Sequence, residues 1–195
     1  DLRTQTALLE RDSYLEWLTV ELGGRVSRST QHSVLRGPGA EAMVTGLYLP
    51  DGKQQIAFDT LQDHVAPGCT SDLLYQGALL GKSRSVYEGT IRAWPDAQKT
   101  NAYQSNRNLL LSDSATANSN PQLEIFADDV RCTHGSTVGR LDDLAVFYLR
   151  SRGIDEETAR SLLTFAFADT PGPAAVLSLA RGGEVRVLRM EVAGS

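Results

Sequence analysis

Cysteine is scarce: Cys69 and Cys132 are the only two in 195 residues, too few and too far apart to make a disulfide framework. Nothing at the start resembles a signal peptide with a basic end and an apolar stretch, so a reducing, cytoplasmic setting is expected. No apolar run is long enough to cross a bilayer, which leaves a membrane out of the expected partners. Clustered positive charge is also missing. The formal net charge is -5, and nucleic-acid binding normally shows as a basic face, so nucleic acid is not an expected partner either. The catalytic signatures Gly-x-Ser-x-Gly, Walker A, the dinucleotide glycine fingerprint and His-Glu-x-x-His are all absent, so a self-sufficient enzyme is poorly supported.

What is present fits one main core with room for a small appended unit: the chain is 41% hydrophobic and 22% charged. It begins at Asp1, not Met, with the apolar pattern under way by Leu8 and Leu9, and is expected to be a piece of a longer protein. Turn punctuation is frequent before Leu141, at Gly23-Gly24, Gly37-Pro38-Gly39, Pro50-Asp51-Gly52, Pro67-Gly68, Pro95-Asp96 and Asn120-Pro121. Short segments between these turns alternate. In "EWLTVEL", Leu18, Val20 and Leu22 share one face while Thr19 and Glu21 take the other, the period-2 pattern of a half-buried strand. Sandwich, barrel and solenoid all use such strands. The amide-rich stretch "TNAYQSNRNLLLSDSATANSN" and the lack of Asn-Gly hairpin signals lean toward a parallel β-helix, whose polar side chains bond along successive coils.

After Gly139 the period changes. "LDDLAVFYLRSRG" sets Leu141, Leu144, Ala145, Tyr148 and Leu149 at helical spacing, with Asp142 and Asp143 early, Arg150 and Arg152 late and Gly153 as a stop. A second helix is predicted from an Asp155 N-cap, through "TARSLLTFAFA", to Pro171 and Pro173. The remainder suggests two strands around Gly182-Gly183. The expected division is a β core over 1–140 and a C-terminal helical region over 141–195.

The chemistry-bearing candidates are few. Cys132 and His134, two apart in "ADDVRCTHGSTVG", share a face on a strand, and a thiolate and an imidazole can meet one soft or borderline metal. Two ligands leave such a site half built, and an isolated Cys-x-His is more often packing plus a satisfied histidine. Cys69 sits beside a turn, compatible with exposure, and is taken as structural because no neighbour would depress its pKa. His32 and His64 lack ligand-spaced neighbours and are expected to be solvated or hydrogen-bonded. Asp128 and Asp129 would face opposite sides of a strand, and Asp113 has no local carboxylate partner.

Residues 81 to 154, "GKSRSVYEGTIRAWPDAQKTNAYQSNRNLLLSDSATANSNPQLEIFADDVRCTHGSTVGRLDDLAVFYLRSRGI", closely resemble the core of the SufB/SufD family, scaffold proteins of the SUF iron-sulfur cluster assembly system. "LEWLTVELGGRVSR" and "DHVAPGCTSDLLYQGAL" extend the likeness from about Leu15 to about Ala168. "THGSTVGRLDDLAVFYLRSRGI" resembles the SufD branch more than SufB.

The resemblance implies a mainly β fold, a right-handed parallel β-helix (solenoid) followed by a small C-terminal helical part. It implies a non-catalytic scaffold subunit that pairs with SufB through the β-helix and docks the SufC ATPase through the C-terminal helices, with a homodimer open to it without SufB. Cys132 and His134 would be its metal ligands at the SufB interface, sharing a transient iron-sulfur cluster, and no cofactor is expected to stay tightly bound to the isolated chain. Cys69 matches no family role. "DTPGPAAVLSLARGGEVRVLRMEV" departs from the helix usual there, at the expected SufC surface. Two rival readings are an architectural partner that stabilises SufB and SufC without ligating iron, and a polysaccharide-active β-helix enzyme using Asp128, Asp129 or Asp113.

Overall fold

A computed structural model describes residues 1–168 and the backbone of two strands beyond them. Ten strands come first: β1 (Leu2–Leu9), β2 (Tyr14–Glu21), β3 (Val26–Leu35), β4 (Glu41–Tyr48), β5 (Gln55–His64), β6 (Thr70–Leu79), β7 (Arg84–Ala93), β8 (Asn101–Leu110), β9 (Thr116–Ile125) and β10 (Arg131–Arg140). Helices α1 (Asp143–Ser151) and α2 (Glu156–Ala168) follow, then strands β11 (Ala175–Leu179) and β12 (Val185–Arg189). The chain divides into two compact units, Asp1–Gly139 and Arg140–Ser195.

In the first unit odd and even strands part company. One five-stranded sheet runs β1-β3-β5-β7-β9 and the other β10-β8-β6-β4-β2, with parallel pairing at each ladder whose register is resolved. Each coil thus gives one strand to each wall, which is a parallel β-solenoid. The coils differ in length. The paired residues Leu2 and Arg28, Val26 and Gln55, Gln55 and Arg84, and Arg84 and Thr116 are 26, 29, 29 and 32 residues apart, so the fold repeats without a fixed sequence period. The corners repeat better than the spacing. Asp12, Gly39, Gly68 and Lys99 stand two residues before their even strands with φ of 53°, 73°, 69° and 64°. That left-handed turn suits glycine and costs Asp12 and Lys99 about 1 kcal/mol each.

The interior mixes rings with amides. Tyr48, Phe58, Tyr75 and Tyr87 form a chain of tilted and edge contacts, with centroids 5.0, 4.8 and 5.5 Å apart. Gly46 pairs with Tyr75 and Gly77 with Tyr48, and each ring lies on its partner glycine: a Cβ at Gly46 would stand 2.3 Å from Tyr75 and one at Gly77 2.1 Å from Tyr48. The tyrosine hydroxyls are absorbed by polar neighbours, as buried hydroxyls require. Tyr48 donates to Asn108 Oδ1 at 2.6 Å and accepts from Asn106 Nδ2 at 3.1 Å. Tyr75 donates to Gln31, whose Nε2 donates to Thr19 at 2.8 Å. Burial pushes the Tyr48 hydroxyl up to about 12.

That polar interior reverses the sequence expectation for β2. Thr19 and Glu21 face inward, while Leu18 is 52% exposed and Val20 half-buried. Thr19 meets Gln31 there and Glu21 pairs with Arg3 at 3.7 Å, so partnered polar groups occupy the side that alternation alone assigns to apolar ones.

In the second unit α2 starts at its predicted Asp155 cap, and α1 is capped by Asp142, one of the two acids expected early in it. Asp142 accepts from the Leu144 N–H at 2.8 Å and Asp155 from the Thr158 N–H at 3.0 Å. Gly153 follows α1 with a φ of 87°. Arg150 reaches Glu156 at 3.2 Å between the two helices. Leu144, Phe147 and Tyr148 of α1 are exposed while Val146 is buried. β11 and β12 pair antiparallel, so this unit is not wholly helical. Pro171, Pro173 and Gly182-Gly183 lie outside the described residues.

Candidate functional site

Cys132 and His134 lie on β10, the last strand of the even sheet. The Arg131 N–H donates to the Thr100 carbonyl at 2.8 Å, repeating the bonds of Asn101 to Cys69 and of Thr70 to Ala40, both 3.0 Å. Carried on in step, this pairing sets Cys132 in the column of Ala102, Ser71 and Ala42, and His134 in the column of Gln104, Leu73 and Val44. Those columns line the interior. The thiol and imidazole therefore stand on one face, at the rim of the coil stack. Among the described residues no strand covers β10 on its far side, and accordingly Cys132 is half-buried and His134 exposed where the preceding residues of their columns are buried.

The corner before β10 fixes its approach. Asp128 and Asp129 sit in a bend rather than on a strand. The Asp129 carbonyl accepts from the Lys99 N–H at 2.6 Å, its N–H donates to Gln98 Oε1 at 2.9 Å, and its carboxylate pairs with the Lys99 ammonium. Asp129 is thus a staple between coils. Asp113 lies at a different corner, in the turn between β8 and β9, so this triad of acids falls at two separate bends.

Burial pushes the Cys132 thiol above its ordinary value, so the isolated chain presents a thiol that must lose a proton on meeting a metal. Among the described residues no group of three or more His, Cys, Asp and Glu is placed to hold a metal ion. The pair supplies two donors, and any complete coordination sphere needs others from outside the described chain.

The other candidates are structural. Cys69 is fully buried, against the exposure its turn suggested: it packs with Leu9, Leu35, Ala40, Ala42 and Ala66, its Sγ donates to the Gly37 carbonyl at 3.3 Å, and burial raises its pKa. The corner turns the backbone so that this side chain, not the turn, faces inward. His64 is also fully buried, its Nε2 2.8 Å from Ser71 Oγ, and desolvation lowers its pKa to about 4. His32 is half-buried. Sequence reasoning passed over Gln104, which is completely buried with neither side-chain atom hydrogen-bonded. Its inward phase could have been found by alternation within "NAYQSN", two residues from Ala102 and Asn106.

Similarity to known proteins bears on this geometry. Residues 1–167 match the family described as SUF system FeS cluster assembly, SufBD core domain. The chain is 42% identical to an iron-sulfur cluster assembly SufBD family protein of Mycobacterium leprae, over 85% of this chain and 44% of that one. It is 39% identical to the iron-sulfur cluster assembly protein SufD of Escherichia coli (75% of this chain, 35% of that one) and 33% identical to SufD of Bacillus subtilis (80% and 36%). The chain spans less than half the length of these curated relatives. Among the described residues no helix is long and apolar enough to cross a membrane.

Proposed function

The chain belongs to the SufBD family, and from that membership we propose that it is a SufD-type scaffold subunit of the cytoplasmic SUF system for iron-sulfur cluster assembly. In this reading it performs no catalysis itself. It pairs with a SufB-type subunit through the solenoid, docks a SufC-type ATPase through α1 and α2, and lends Cys132 and His134 to a nascent cluster that is cargo and not a resident cofactor.

The observation that carries this reading is the uncovered rung. Among the described residues β9 and β10 are the last strands of their sheets, and a sheet edge is a template for strand pairing with another chain. Cys132 and His134 stand on that rung, facing the coil interior. A partner strand laid along it would bring new donors to within a rung's spacing, about 4.8 Å, of the pair. The thiolate is a soft ligand for iron and the imidazole a borderline one. Incomplete ligation by this chain suits transfer, because a cluster held by few bonds on each side leaves when the halves separate. ATP-driven movement of the partners would supply that separation. For ATPase docking, support comes from the exposed Leu144, Phe147 and Tyr148 of α1, a helix face that is apolar yet open to water.

The test uses the whole protein with its SufB- and SufC-type partners. Cys132→Ala and His134→Ala should each leave the complex assembled and cut the yield of reconstituted cluster, read by its visible absorption. Wild-type yield in both variants would remove the pair from the site and favour a purely architectural subunit.

A further inference from the structure

Among the described residues Gln104 is the one interior side chain with both amide atoms buried and unbonded. Its fellow interior amides are engaged in whole or in part: Gln31 with Thr19 and Tyr75, Asn106 with Tyr48, Asn108 with Asn106 and Tyr48, and Gln62 through its Nε2 with Ser71 while its Oε1 is unbonded. A buried amide left unpaired costs about 1–3 kcal/mol. Packing does not demand one here, because the same column carries Leu73 and Val44 in the preceding coils. Gly89 on the opposite wall leaves space that it shares with Tyr87: a Cβ there would stand 2.3 Å from Gln104 Nε2 and 2.4 Å from the Tyr87 hydroxyl. The next residue along the column is His134, one strand further at the open rung.

From this column we infer that Gln104 is the positioning residue for His134: its carbonyl oxygen accepts the N–H of one imidazole nitrogen and leaves the other nitrogen's lone pair directed at the metal. A ligating histidine commonly gives its second ring N–H to a carbonyl or carboxylate, which fixes the tautomer and the ring orientation. Strands lie about 4.8 Å apart, within reach of an amide oxygen and an imidazole on adjacent rungs after a side-chain rotation. The inference rests on the proposed role of Cys132 and His134, and its test separates the two.

Complexes of the full chain with its SufB-type partner are prepared as wild type, Gln104→Met, Gln104→Glu and Cys132→Ser, with Co(II) alone as the probe. Three readouts are taken: melting temperature, Co(II) affinity, and the thiolate-to-cobalt absorption. Gln104→Met, of similar length but without the amide, should melt at or above the wild-type temperature yet bind Co(II) about tenfold more weakly. Gln104→Glu, which keeps an oxygen in place, should recover most of that affinity. Cys132→Ser should lose the absorption. Undiminished Co(II) binding by Gln104→Met, or a loss accompanied by a lower melting temperature or not recovered by Gln104→Glu, overturns the positioning role even though Cys132→Ser loses its band. Should Cys132→Ser keep the band, the reading of the pair falls and the inference with it.

Discussion

The middle of the solenoid and its last rung are built from the same strands but satisfy opposite requirements. In β4 to β7 rings stack on rings, tyrosine lies on glycine, and His64 is sealed behind Ser71 and Thr100. At β10 two interior columns end in a half-buried thiol and an exposed imidazole, the latter above an amide with no partner. The middle therefore holds the fold, and the rung contributes less to it. Substitutions should separate the two regions by size of effect.

The largest effect is expected at Phe58, whose ring lies between Tyr48 and Tyr75 and is 2% exposed. Phe58→Ala should cost about 3–5 kcal/mol in urea unfolding, by lost burial and the cavity left behind. Next comes pH. The unfolded chain takes a proton on His64 below its ordinary value of about 6.5, whereas the folded protein refuses it until about 4. Because the unfolded state then binds more protons, stability should fall as pH drops between those values, by about 3 kcal/mol in all, and level off below. A His64→Gln variant should lose this part of the slope when unfolding is followed across the same range. The smallest effect belongs to the rung: Cys132→Ala and His134→Ala should each change unfolding free energy by less than about 0.5 kcal/mol. A cost at Cys132 comparable with that at Phe58 would erase the contrast and return the thiol to a packing role.

Much of this is legible in the sequence. The acids before α1 and α2, and Gly153 after α1, announced the helix ends because capping is local chemistry. The two strands at the C-terminal end followed from the residue pattern, and the face shared by Cys132 and His134 from alternation. Three features, the phase of β2, the direction of Cys69 and the missing partner of Gln104, are not. The phase of β2 was inverted because alternation assumes an apolar inside, and here Thr19 and Glu21 have inward partners on β3 and β1. Cys69 was misjudged because a turn in the chain does not say which way the next side chain points. Nor could the sequence show that Gln104 lacks a partner, as that depends on a column assembled from strands β4, β6 and β8. The solenoid, by contrast, is legible from the amide-rich composition and the family resemblance, although coils of 26 to 32 residues share corners and walls but no period.

The crossed pairing of Gly46 with Tyr75 and Tyr48 with Gly77 also guards against assembly mistakes. A parallel ladder that slips by one residue turns its apolar side out and is rejected at once, but a slip of two keeps inside and outside unchanged. Here such a slip in one direction would set Tyr48 over Tyr75 and Gly46 over Leu73, ring against ring beside a hole. The neighbouring coils therefore carry a key against the single error that alternation cannot detect.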